Sequence, residues 1–143
     1  MRKMILAAVL TTFAFGASAQ NPASPIGKWK TLDDETGKAM TISEVYEAQN
    51  GTLAARIVEN LGMPATCTGC SGAYKNKPFV GIVTLWNLKP TGQGTWGNGN
   101  GYKPSDDRHF KVKSVRLTEN GRKLEVKGCV AFICKTATWV RAD

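Results

Sequence analysis

The sequence holds one histidine, His109, and that scarcity excludes several chemistries at once. A zinc site built on imidazoles needs partners that are not there, and a Ser–His–acid triad needs that single histidine beside a marked nucleophile. Asp106-Asp107-Arg108-His109 therefore reads as a charged, solvated turn, and neither metal nor cofactor is expected. Helix periodicity is almost absent after the N-terminal segment. No later stretch is apolar enough to cross a bilayer, which takes roughly 20 apolar residues. The run Gly97-Asn98-Gly99-Asn100-Gly101 lacks the Lys-Ser/Thr and helix start of a phosphate loop. It is expected to be a flexible loop at a rim.

What is present begins with an export signal. Met1-Arg2-Lys3 is cationic, Met4 to Phe15 is uncharged and mostly apolar, and Ala17-Ser18-Ala19 is a small-x-small cleavage site. Residues 1–19 read as a signal peptide and 20–143 as one domain, periplasmic or secreted. No cysteine lies at the cleavage site, so a lipoprotein is not expected. The formal net charge of +8 falls to +6 when Arg2 and Lys3 are removed. The remaining basic residues are scattered, which fits a solvated surface. Outside the cytoplasm, anionic lipid or envelope phosphate is a better counterpart than nucleic acid, and no nucleic-acid partner or stable membrane insertion is expected.

All four cysteines, Cys67, Cys70, Cys129 and Cys134, fall after the signal. An even number in an oxidising compartment implies disulfides. Of the three possible pairings, the local one, Cys67 with Cys70 and Cys129 with Cys134, is favoured. Cys67-Thr68-Gly69-Cys70 also admits half a zinc site or a redox pair. The spacing of the second pair is unusual for zinc, and no helix pattern follows Cys70 to activate a thiol.

Strand signals recur at short intervals, separated by turn chemistry. Gly27 to Leu32, Met40 to Glu47 and the alternating Leu53, Ala55 and Ile57 form the first group. A loop to Pro78 follows. Phe79 to Leu88 is the most apolar stretch and is expected to be one strand, with Phe79/Val83/Leu85 on one face and Val80/Ile82/Trp86 on the other. Such a strand needs cover on both sides, from a loop, a short helix or a second subunit. In Arg108 to Leu117, Phe110 and Val112 are out of phase with Val115 and Leu117, so a bulge near Ser114 is expected to turn all four inward. Asn120-Gly121 marks a hairpin, after which Leu124, Val126, Val130 and Phe132 alternate, and Ala137 and Trp139 share a face of the last strand. About eight antiparallel strands in hairpin order predict an all-β, closed or nearly closed up-and-down barrel.

In a closed barrel the first and last strands are neighbours, so Trp29 is expected to plug one end beneath the Arg141 guanidinium. A Gly-x-Trp near the start with an arginine on the final strand resembles the lipocalin and fatty-acid-binding barrels. Gly27-Lys28-Trp29-Lys30-Thr31, Asp33 to Lys38, Cys67-Thr68-Gly69-Cys70, Lys77-Pro78-Phe79-Val80-Gly81, Leu124 to Cys129 and Thr138-Trp139-Val140-Arg141 are together similar to the exported bacterial family DUF2147. That resemblance implies a lipocalin-like (calycin-like) barrel and no particular activity. The segment from Trp96 to Pro104 departs from the family's usual glycine-aspartate-proline pattern, so its loop is expected to differ in shape.

These observations favour a non-enzymatic binding protein that holds a small apolar or amphipathic ligand in its barrel. Ile57, Val83, Leu85, Phe110 and Val126 are the candidate interior contacts, and Tyr74, Trp86, Trp96 and Tyr102 are candidates for a ligand mouth. Two alternatives stand beside it. One is an envelope interaction module with a filled core, in which the outer face of Phe79 to Leu88 serves a partner or a homodimer. The other is a thiol–disulfide oxidoreductase using Cys67 and Cys70.

Overall fold

A computed structural model describes residues 24–143; the expected signal peptide and its cleavage site lie outside the described residues. The regular elements are strands: β1 (Gly27–Leu32), β2 (Ala39–Glu47), β3 (Leu53–Asn60), β4 (Val83–Gly92), β5 (Thr95–Gly97), β6 (Gly99–Lys103), β7 (Arg108–Thr118), β8 (Lys123–Val130) and β9 (Ile133–Arg141). Two single 3-10 turns, at Gly72–Tyr74 and Pro104–Asp106, are the only helical turns among the described residues.

All pairings are antiparallel, and β1 pairs with β9 through Trp29↔Arg141 and Lys30↔Val140. β3 also pairs with β4, so the sheet closes on itself. β5 and β6 are halves of one strand, broken where Asn98 takes a left-handed φ of 54°. The result is a closed eight-stranded barrel.

The first and last strands meet as a sealed joint. Trp29 is fully buried, its Nε1–H donates to the Pro25 carbonyl at 2.8 Å, and the Arg141 guanidinium lies 4.2 Å over its ring. Arg141 also donates to the carbonyls of Gly121 and Ser24, each at 2.8 Å. Inside, Trp29, Val45, Leu53, Leu85, Val112 and Leu124 belong to one packed cluster, which Trp139 and Val126 share and which Trp96 and Phe110 flank.

Three local readings need correction. β4 starts at Val83, not Phe79: Gly81 has φ +99°, and Ile82 N–H bonds back to the Phe79 carbonyl at 3.1 Å. Phe79 and Ile82 are therefore buried in a turn, and Val80 is exposed. A register shift between Ala55↔Leu85 and Arg56↔Val83 then sets Val83 on the face opposite Leu85. The glycine-rich stretch expected as a loop is instead strand in β5 and β6. Finally, β8 ends at Val130, so Phe132 sits in the turn and not on the strand.

The bulge in β7 lies where the phase break demands it. Register shifts between Val112 and Ser114, and Val112 and Val115 are both buried in the core.

Candidate functional site

The register that closes the barrel also lays out its outer wall. Leu85 faces the core, so Trp86, its neighbour in β4, faces out. From Trp86 one row crosses the sheet through the pairs Trp86↔Asn100, Asn100↔Lys111, Lys111↔Cys129 and Cys129↔Cys134. The next row toward the long β3–β4 loop contains the pair Tyr102↔His109. Val83 joins this outer face because of the register shift that turns it away from the core.

These rows form two adjoining hollows. One, of about 160 Å³, is lined by Tyr74, Val83, Trp86, Tyr102 and His109. The other, of about 270 Å³, runs from Trp86 and His109 past Phe110 and Lys111 to Cys129 and the β8–β9 turn. They share Trp86 and His109 and so make one groove. Its aromatic rings are ordered against each other. His109 stacks on Tyr102 at 4.7 Å between centroids, Tyr102 stacks on Tyr74 at 5.8 Å, and Trp86 meets His109 edge-on at 6.3 Å. At the far end Lys111 Nζ donates to Asn100 Oδ1 at 2.7 Å, setting a cation beside the apolar floor.

The loop between β3 and β4 holds the first wall. Cys67 and Cys70 are disulfide-bonded and buried with Ile57, Phe79, Ile82 and Tyr102 in a second apolar cluster. Asp107, in left-handed conformation at φ 47°, ties this loop to the barrel. Its Oδ1 accepts from the Tyr102 hydroxyl at 2.7 Å and from the Ser71 N–H and hydroxyl at 3.1 Å each. The Tyr102 bond, followed by the Ser71 N–H, holds the Asp107 carboxyl below its ordinary pKa. Burial, then the bond to Asp107, pushes the Tyr102 hydroxyl up to about 12. On the other side of the turn, burial pulls the Lys103 ammonium down, but hydrogen bonds to Asp106 and Asp34 outweigh it and hold its pKa above the ordinary value.

The residues singled out in the sequence divide between the two sides of the wall. Leu85 and Val126 lie in the packed interior. Phe110 packs against them, its ring lying where side chains of Gly101 and Gly128 would project. Ile57 belongs to the cluster under the loop, and Val83 lines the outer groove. Tyr74, Trp86 and Tyr102 come together at the groove, whereas Trp96 packs against the core. His109, expected as a solvated turn residue, is exposed but stands on β7, and its ring is a wall of both hollows. The signal that could have revealed it is its place as second residue of β7, directly opposite Tyr102. Cys129 and Cys134 are bonded across the β8–β9 hairpin.

The profile of a family described as an uncharacterized protein conserved in bacteria (DUF2147) matches residues 27–141. No curated protein matches the chain. Among solved structures, the chain is similar to a Helicobacter pylori protein, HP1028, described as belonging to the lipocalin family. The two are 24% identical, with 85% of this chain and 84% of that one covered and a TM-score of 0.71. That likeness establishes the barrel as lipocalin-like. The bacterial family and the two disulfides fit an exported protein.

Proposed function

From the premise that this chain belongs to the DUF2147 family and folds as a lipocalin-like barrel, we propose that it is a periplasmic or secreted, non-enzymatic binding protein whose ligand seat is the aromatic groove on the outer wall. The observation that carries this reading is the pair of adjoining hollows joined at Trp86 and His109. The inward faces of the barrel pack into one cluster, which favours the wall over the interior as the seat. Ligand sites combine an apolar lining with a few placed polar groups. Here the flat rings of Trp86, Tyr102 and His109 supply the first, and Lys111 and Asn100 the second. The matching ligand is a small amphipathic molecule with a flat apolar body and an anionic group.

The oxidoreductase reading receives less support. Cys67 and Cys70 are 2% and 3% exposed, so a substrate thiol has little access to their sulfurs.

Anilinonaphthalene sulfonate is a suitable probe, being aromatic and anionic. Its fluorescence enhancement on titration into the mature chain should be saturable. Trp86→Ala and His109→Ala should each weaken it by about tenfold, from the lost ring contact. Unchanged binding in both variants would remove the groove as the seat.

A further inference from the structure

β9 extends beyond its pairing with β1 toward the β8–β9 turn. β1 pairs with β9 only at Val140 and Arg141, so the stretch from Ile133 to Thr138 is paired to β8 alone. Its tip is apolar: Phe132 is fully exposed, Ile133 is 71% exposed and Val130 46%. Burying such a tip is favourable, and exposed apolar clusters of this kind mark contact surfaces. The Cys129–Cys134 disulfide joins directly opposed residues immediately behind the tip, so the hairpin is ordered before it meets anything.

The strands behind the tip carry an excess of cations. β7 and β9 contain no acidic residue, and Glu125, the one acid of β8, is held by Arg116 at 2.7 Å. Lys111, Lys113, Lys127 and Lys135 form no salt bridge among the described residues. Five acids lie at the same end of the barrel: Asp34 and Asp106 both meet Lys103 at 3.2 Å, Asp107 accepts from Tyr102 and Ser71, Asp33 accepts within its own turn, and Glu35 stands in that turn beside Lys38.

We propose that this hairpin is a peripheral membrane anchor: Val130, Phe132 and Ile133 enter the headgroup boundary of an anionic bilayer while the lysines of β7–β9 meet lipid phosphates. A small apolar tip backed by cations is enough for reversible attachment to anionic lipid. A stable protein interface needs about 800 Å² from each partner, more than a four-residue tip supplies. The contact is superficial and adds no spanning segment. The anchor shares Val130 and Lys111 with the far end of the groove, but it does not require a ligand to be seated there.

The test is co-sedimentation of the disulfide-intact mature chain with vesicles. One set is phosphatidylcholine alone; the other is equal parts phosphatidylcholine and phosphatidylglycerol. Binding is expected only to the anionic set and should fall as salt rises. Phe132→Ser and Lys135→Glu, both at exposed positions, should each weaken it by about tenfold or more while circular dichroism stays unchanged. Absence of binding to anionic vesicles, or equal binding by Phe132→Ser, would overturn the proposal. So would a dimer in sedimentation that Phe132→Ser converts to monomer, because the tip would then be a protein interface.

Discussion

Tyr102 shows how much one side chain carries. Its ring is the middle of the Tyr74–Tyr102–His109 stack, and its hydroxyl meets the one carboxylate that also holds Ser71. Burial disfavours the charged tyrosinate, and losing the proton would also break the bond to Asp107 and set two anions together, which is why its pKa rises from 10.0 to about 12. The consequence for stability has a definite sign. Below pH 10 the folded and unfolded chains both keep this proton. Between 10 and about 12 only the unfolded chain loses it, so the contribution of Tyr102 is intact below 10 and is lost as pH rises through that window. Ultraviolet titration of the chain's three tyrosines should show one ionising late, and Tyr102→Phe should abolish the late phase. A late phase that persists in that variant would mean the raised group is another tyrosine.

At the level of strands, two neighbouring strands leave room on the inward face for the Phe110 ring. It is paired with Gly101 in β6, and its neighbour on the other side is Gly128 in β8; a Cβ at either glycine would overlap the Phe110 ring. Gly101→Ala and Gly128→Ala should each cost about 1–3 kcal/mol in urea unfolding, as overpacked cores do. In a Phe110→Ala background the added penalty should largely vanish, because the ring that clashes is gone. Equal penalties in both backgrounds would mean that the glycines serve the backbone and not the ring.

This clash also explains what the sequence could reveal. Alternation made β1, β2 and β3 legible, and the phase break in β7 fixed its bulge, because each residue's side of the sheet follows from counting by two. Gly97 to Gly101 defeated the same reading: its glycines give no alternation to count, and they are there for close approaches made by other strands, Gly97 to the Lys113 carbonyl, Gly99 to the Trp86 carbonyl and Gly101 to the Phe110 ring. The Phe79–Leu88 stretch failed for a related reason. Phe79 and Ile82 are apolar because the Cys67–Cys70 loop buries them, not because they line a barrel face, and that contact spans residues distant in sequence. Three aromatic residues of the groove, Tyr74, Trp86 and Tyr102, were visible as a group, whereas His109 emerged only from its cross-strand partner.

The whole molecule separates two surfaces that a lipocalin-like barrel offers to ligands. Its interior holds Trp29 and Trp139 in the core cluster, with Trp96 packed against it, whereas Trp86 stands on the outer wall. The four indoles therefore report on the two sides separately. The decisive measurement is a nitrogen–proton correlation spectrum of the tryptophan indoles during titration with anilinonaphthalene sulfonate. The Trp86 indole should shift progressively while those of Trp29, Trp96 and Trp139 stay in place. Movement of the three inner indoles with Trp86 unmoved would put the ligand inside the barrel and contradict the account.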